Sequence, residues 1–333
     1  MWAKKAGRET VAYERLVKEF AVALEKEFLR QYKAFLSLLN SRDAFERLYA
    51  YAVKHFPEVY DTNDEKKVEK AKAGFFNIPP DKDWDSAALK EIGKFYEGWA
   101  EKVKPEKMED IITYYSMKAG ELGGDKALND LGIKLAFNLK NPGMIAEIAN
   151  RGEKITGDIS ENTLNNFRDT FYRMYMEEGA SPYDLKEKIK YMFEETYANR
   201  AMTISRTESG IAHTMVQNEA YAKNGVKKKQ WISVIDEFTR GNRTTDKANH
   251  IEMNGEEVNF DEPFSNGLDF PLQASAPPEE IINCRCDFIA TEFDENFCSG
   301  DNADNSDCVV PWTGGAAGGV EGDEEAVTYY EDF

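Results

Sequence analysis

Apolar side chains recur at steps of three and four through Tyr13, Leu16, Phe20, Leu24, Phe28, Tyr32, Phe35 and Leu39, drawing one stripe down a helix of about nine turns. Glu14, Lys18, Glu25, Lys26 and Arg30 fall between them and form the expected solvated face. A stripe of that length with large aromatics needs a cover, either the helices that follow or another subunit. Asn40-Ser41 breaks the pattern, and a second helix carries Phe45, Leu48, Tyr49 and Val53 up to Pro57. The charged stretch 58–83, with Pro79-Pro80 near its end, reads as a loop or hinge. A third helix, capped at Asp85 or Ser86, presents Leu89, Ile92, Tyr96, Trp99 and Val103 on one face. It stops at Lys104-Pro105, because the residue before a proline is pushed out of the helical region. Met108 to Leu122 predicts a fourth helix, ended by Gly123-Gly124.

From 125 to 225 the pattern predicts shorter, better punctuated helices. In Ser181-Pro182-Tyr183-Asp184 a capping hydroxyl, a proline at the first helical position and an early carboxylate agree on a helix start. Another helix runs from about Arg200 to Ala222 and ends at Asn224-Gly225, a left-handed cap. Then the period changes. Gln230 to Ile235 reads as a strand, and Val258, Phe260, Ile281-Ile282 and Phe288-Ile289-Ala290 are candidate short strands. The fold class predicted is mainly α: a helical amino-terminal region over 1–120, a small α+β domain over 121–290, and an acidic, glycine-rich, disordered tail over 291–333.

Composition narrows the class. The chain has 333 residues, 41% hydrophobic and 31% charged, a globular mixture. Its longest apolar run, Leu48 to Val53, is far short of the roughly 20 residues a membrane span needs, and the amino terminus shows no secretory pattern. Four cysteines do not make a disulfide scaffold, so a reducing cytoplasm is the simpler setting. The net charge of −19 argues against a general nucleic-acid coat, but its distribution weakens that argument. Asp287 to Phe333 holds thirteen acidic and no basic residues, so residues 1–286 carry 42 basic against 48 acidic groups, a net charge of −6. The run Lys227-Lys228-Lys229 reads as a solvated turn, with phosphate contact as its functional alternative.

Candidate chemistry concentrates between 205 and 286. Arg206, Thr207 and Glu208 lie inside a helix, Asp236, Thr239 and Arg240 follow a strand, and Asn283 precedes Cys284-Arg285-Cys286. Pairing of Arg206 and Glu208 with Asp236 and Arg240 would dock a helix on a small sheet. The functional alternative, a catalytic carboxylate–arginine site, lacks a nucleophile with its base. His250, Cys284 and Cys286 are candidate zinc ligands, with Asp236 or water to complete a tetrahedron. Two reduced cysteines at a core edge are the plainer reading, so the residues alone predict no cofactor, with structural zinc as the alternative. There is no P-loop, zinc-protease, nucleophile-elbow or dinucleotide fingerprint.

Four stretches in order resemble the Mu F-like phage head morphogenesis family. They are Asn199 to Glu208 with its Arg206-Thr207-Glu208; Gly225 to Trp231; the series Asp236, Thr239-Arg240, His250 and Gly255; and Pro277 to Cys286. In many relatives the histidine follows the arginine by three residues, whereas His250 follows Arg240 by ten, so residues 241–247 look like an insertion. The resemblance implies a non-enzymatic minor head protein of a tailed bacteriophage, bound in few copies at the portal vertex inside the procapsid. It would assist head assembly and DNA packaging or ejection, with the portal and the major capsid or scaffold protein as partners, DNA contact besides, and no membrane. The implied location is the virion interior, with the host cytoplasm during assembly. Two alternatives remain: a cytoplasmic assembly chaperone absent from the mature virion, and a metal-dependent hydrolase acting on nucleic acid or peptidoglycan. The hydrolase would use His250, Cys284 and Cys286 for metal and Asp236 or Glu208 as base.

Overall fold

The structure is a computed structural model. It describes residues 3–39, 104, 106–133, 137–172, 187, 190–191, 197–236 and 239–294. The predicted second and third helices, the Ser181-Pro182 helix start and the tail from 295 onward lie outside the described residues. Helices α1 (Ala3–Leu39), α2 (Glu106–Asp130), α3 (Pro142–Tyr172) and α4 (Tyr197–Lys223) precede a three-stranded sheet of β1 (Val226–Ile232), β2 (Glu257–Asn259) and β3 (Asp287–Phe293). Two single-turn helices, α5 (His250–Met253) and α6 (Pro278–Ile281), lie in the connections. The fold is helix-rich with a small antiparallel sheet near its carboxyl-terminal part, as expected.

The chain forms two compact units that are not consecutive in sequence. One comprises Met1–Ala23, Ile112–Ala149 and Met202–Phe333, the other Leu24–Ile111 and Asn150–Ala201. In the second unit Leu24, Phe28 and Tyr32 of the α1 stripe are buried. Phe28 packs on Tyr197, and Arg200 lies over both rings while donating to Thr163 Oγ1 at 3.1 Å. Glu27 interrupts the apolar face and is held by Arg30 at 2.6 and 2.7 Å and by Gln31 at 3.0 Å. In the first unit Phe20 stacks on Tyr115 of α2 and Tyr13 meets His213 of α4 edge to face. Between Tyr13 and Tyr32 the stripe is therefore packed against helices of its own chain.

Gly123-Gly124 does not end a helix. Both residues are buried inside α2, which runs on to Asp130. A Cβ at Gly123 would lie 2.1 Å from the carbonyl oxygen of His213, and one at Gly124 would lie 2.3 Å from the Phe137 ring. These glycines let α4 and the chain after α2 approach the α2 backbone; they are contact residues rather than stop signals. The expectation of shorter helices after 125 also fails, since α3 has 31 residues and α4 has 27.

In the first unit the sheet order is β2-β1-β3, with both pairings antiparallel. The strand predicted over Gln230–Ile235 begins earlier, at Val226, and ends at Ile232, so the lysine triplet is not a turn but the first half of the central strand. Register shifts between Val226 and Lys229 break the side-chain alternation. Such a bulge changes which face each later residue points to. Val226, Lys229 and Trp231 are all buried as a result. Lys229 Nζ donates to the Phe260 carbonyl at 2.7 Å and lies over the rings of Phe260 and Phe264. Lys228 pairs with Glu257 and Glu292 on the flanking strands, 3.5 Å each. Ile281-Ile282 is no strand either: Pro277-Pro278 starts the single helical turn α6, which ends there. Val258 and Phe288-Ile289-Ala290 do lie in strands, and β3 continues to Phe293.

Candidate functional site

The site is built where the end of β1, the loop after it, α5 and the turn before β3 meet, all within the first unit. Trp231 anchors it from the sheet. Fully buried, it packs edge to face on His250 and on Phe264, and its indole N–H donates to Ser233 Oγ at 3.1 Å. The Ser233 hydroxyl in turn donates to the His250 carbonyl at 2.5 Å, and the Ser233 amide donates to Asn254 Oδ1 at 2.9 Å. These bonds fix α5 against the strand.

The loop after the strand closes on itself. The Asp236 amide donates to Val234 O at 3.1 Å and to Thr239 Oγ1 at 3.0 Å, while the Thr239 hydroxyl donates to the Val234 carbonyl. The Asp246 carboxylate accepts the amides of Gly241 and Arg243 at 2.9 and 3.1 Å, which holds it below the usual carboxylate range. The amides of His250 and Ile251 then both reach the Arg240 carbonyl, at 3.0 and 3.2 Å. The ten-residue spacing is thus a closed excursion, and His250 begins against Arg240 despite it. Gly241, at φ +104°, permits the reversal; a Cβ there would also strike Asn249, whose side chain caps α5.

The segment Asn283-Cys284-Arg285-Cys286 supplies the other half. Asn283 sits in the left-handed region at φ 57°, which asparagine tolerates better than most residues. Its amide donates to Thr207 Oγ1 at 2.8 Å, and its Oδ1 accepts from Arg206 at 2.7 Å. Arg285 binds Asp236 Oδ1 at 2.5 Å, and Arg240 donates to the Ile282 carbonyl. The expected network of Arg206 and Glu208 with Asp236 and Arg240 is therefore partnered otherwise. Each of Arg206, Asp236 and Arg240 reaches the 282–285 turn, and Glu208 is buried in α4. The helix docks on the turn rather than on the loop.

His250, Cys284 and Cys286 converge. Their exposures are 1%, 3% and 5%, and His250 Nδ1 lies 3.5 Å from Cys284 Sγ and 3.4 Å from Cys286 Sγ. The cysteines do not share a strand face, since β3 begins only at Asp287. A turn brings them together, with the Cys284 amide on Ile281 O at 3.0 Å and the Cys286 amide on Cys284 Sγ at 3.4 Å. The far ring nitrogen, Nε2, lies 2.8 Å from Glu280 Oε2, and Asn266 donates to that same oxygen at 3.1 Å. Burial pulls the imidazole pKa down, but Cys286 and the Glu280 carboxylate outweigh it and the net shift is upward. The bond with Cys286 holds the Cys284 thiol below its ordinary range, while the same bond and burial push Cys286 up. Val234, Thr239, Arg240, Asn283 and Arg285 line a small pocket that opens onto the three residues.

Sequence reading did not single out Glu280 or Ser233, and it quoted Arg285 without a role. Glu280 could be suspected only from Pro277-Pro278, which starts a helical turn just before it. Ser233 carried no signal of its own.

Residues 169–289 match the family model of Phage Mu protein F like protein. Over that stretch the chain is similar to the Mu F-like family. The match covers a little over a third of the chain and spans every residue of the site just described, whereas residues 121–168 precede it. The similarity suggests a bacteriophage head morphogenesis protein. No curated protein and no solved structure matches the chain.

Proposed function

We propose that the protein is a minor head protein of a tailed bacteriophage, a structural component rather than an enzyme. It sits in few copies at the portal vertex inside the procapsid and assists head assembly and DNA packaging or ejection. Its partners on this reading are the portal protein and the major capsid or scaffold protein. The single observation that carries the reading is the Mu F-like match, whose span holds the four ordered stretches around Arg206, Trp231, Arg240 and Asn283. The geometry supports it from another direction. The polar side chains of the stretch are spent on docking: Arg206 on Asn283, Arg285 on Asp236, Arg240 on the 282 carbonyl. Asp236, the candidate base of a hydrolase, is tied to Arg285 and the Thr239 hydroxyl. Among the described residues no helix is long and apolar enough to cross a membrane.

Quantitative mass spectrometry of purified mature particles tests the proposal, with a few copies per particle expected. Presence in procapsids but not in virions would favour a departing chaperone, and absence from both would overturn the assignment.

A further inference from the structure

We propose that the protein binds one zinc ion through His250 Nδ1, Cys284 Sγ and Cys286 Sγ, with a water from the adjoining pocket as the fourth ligand. The three ligand atoms lie within 4.8 Å of one another, and all three residues are buried. Zinc bonds of about 2.3 Å to sulfur and about 2.05 Å to nitrogen, at a tetrahedral angle, put nitrogen and sulfur roughly 3.6 Å apart. The two separations found are 3.4 and 3.5 Å, the edges of such a tetrahedron.

Proton counting points the same way. Nε2 faces the Glu280 carboxylate, so the ring proton belongs there, and Nδ1 is left with a lone pair aimed at two sulfurs. Cys284 can donate to that lone pair, which leaves the Cys286 thiol only a long, weak bond to Ser233 Oγ at 3.6 Å. A cation satisfies all three at once. The carboxylate on the outer ring nitrogen is the arrangement that orients metal-bound histidines, and Asn266 steadies it. Borderline-soft imidazole and thiolate donors select zinc over magnesium or calcium.

The two halves of the site are joined by the loop-rich segment 254–283, so the metal would clip α5 to the turn before β3. That clip holds Asn283 against Thr207 and Arg206. Zinc here is a staple for the segment that docks α4, and its presence does not depend on where the protein resides in the phage.

The test uses the full chain, purified under reducing conditions from zinc-replete medium. Elemental analysis is expected to find one zinc per chain. Exchange with cobalt(II) should give the intense visible bands of a tetrahedral site and a near-ultraviolet thiolate charge-transfer band. Cys284→Ser and Cys286→Ser should each abolish the thiolate spectrum, whereas a Cys298→Ser/Cys308→Ser chain should keep it. Glu280→Gln, which leaves every ligand in place, should weaken zinc affinity by about 10–100-fold, measured by chelator competition. A wild-type chain with a folded circular-dichroism spectrum that holds no zinc after reconstitution overturns the proposal, as does a cobalt spectrum without thiolate bands. Neither result bears on whether particles contain the protein.

Discussion

Gly123→Ala tests the reading of α2 as a close-packed helix. In an exposed helix interior the change from glycine to alanine stabilises by about 1 kcal/mol, because alanine restricts the unfolded backbone and glycine is the poorer helix former. At Gly123 the new methyl group would sit 2.1 Å from the His213 carbonyl oxygen and 2.8 Å from its carbon, both backbone atoms. Relief needs α2 and α4 to separate by about an ångström, which breaks their packing across several residues. Overpacking of this kind costs about 1–3 kcal/mol or more, so propensity is outweighed. The control is Gly157→Ala in α3, where a Cβ meets nothing within 4 Å and the residue is exposed. The two substitutions are chemically identical and are expected to carry opposite signs. Differential scanning calorimetry of both variants and the parent chain reads the result. A net loss of 2 kcal/mol corresponds to a fall of about 4–8 °C in Tm for a cooperative unit of 150–250 residues, and the Gly157 variant should rise by a few degrees. If Gly123→Ala is as stable as Gly157→Ala, α4 does not approach α2 there and the reasoning fails.

Three further outcomes are expected. Asn283→Gly keeps the left-handed turn but loses the Arg206 bond, and Asn283→Ala loses the bond and strains the backbone, so urea midpoints should place the alanine variant lower by about 1 kcal/mol. Burial, ahead of the opposing Asp287 carboxylate, holds the His213 pKa below its ordinary 6.5, so the unfolded chain takes up the extra proton. Stability from this residue is therefore complete above 6.5 and declines as pH falls through it; His213→Gln should flatten that part of a plot of denaturation midpoint against pH. Lys229→Met keeps the buried stem but strands the Phe260 carbonyl, at about 1–3 kcal/mol, and Lys229→Ala should be worse because it also leaves a cavity, as thermal melts would show.

Much of the helical fold was legible because amphipathic spacing is a local signal. Phe20, Leu24, Phe28 and Tyr32 recur at helical steps whatever covers them, and their burial follows. Gly123-Gly124 was misread because glycine serves both helix ends and close helix contacts, and only the tertiary partner tells them apart. Ile281-Ile282 looked like strand from composition, yet two prolines before it set a helical turn. The Lys229 side chain points inward through a bulge that depends on pairing with β3, and no property of Lys227-Lys228-Lys229 alone announces it. In the site, residue types were readable but partners were not. Arg206 and Asp236 are thirty residues apart, and each binds the 283–285 turn instead of the other, a choice made by the path of the whole chain.

The excursion between Arg240 and His250 shows how spacing and geometry separate. A motif written as residues per interval treats seven extra positions as damage to the site. The backbone treats them as a loop whose ends must meet, and closing a longer loop costs only a few tenths of a kcal/mol for each modest increase in length. Gly241 turns the chain back, Asp246 gathers the amides of Gly241 and Arg243, and Asn249 caps the helical turn, so the loop supplies its own hydrogen bonds. With the ends tied at the Arg240 carbonyl, His250 is delivered to the cysteines independently of loop length. What the site requires is the bond from His250 N–H to Arg240 O, and a fixed number of residues is only one way of obtaining it.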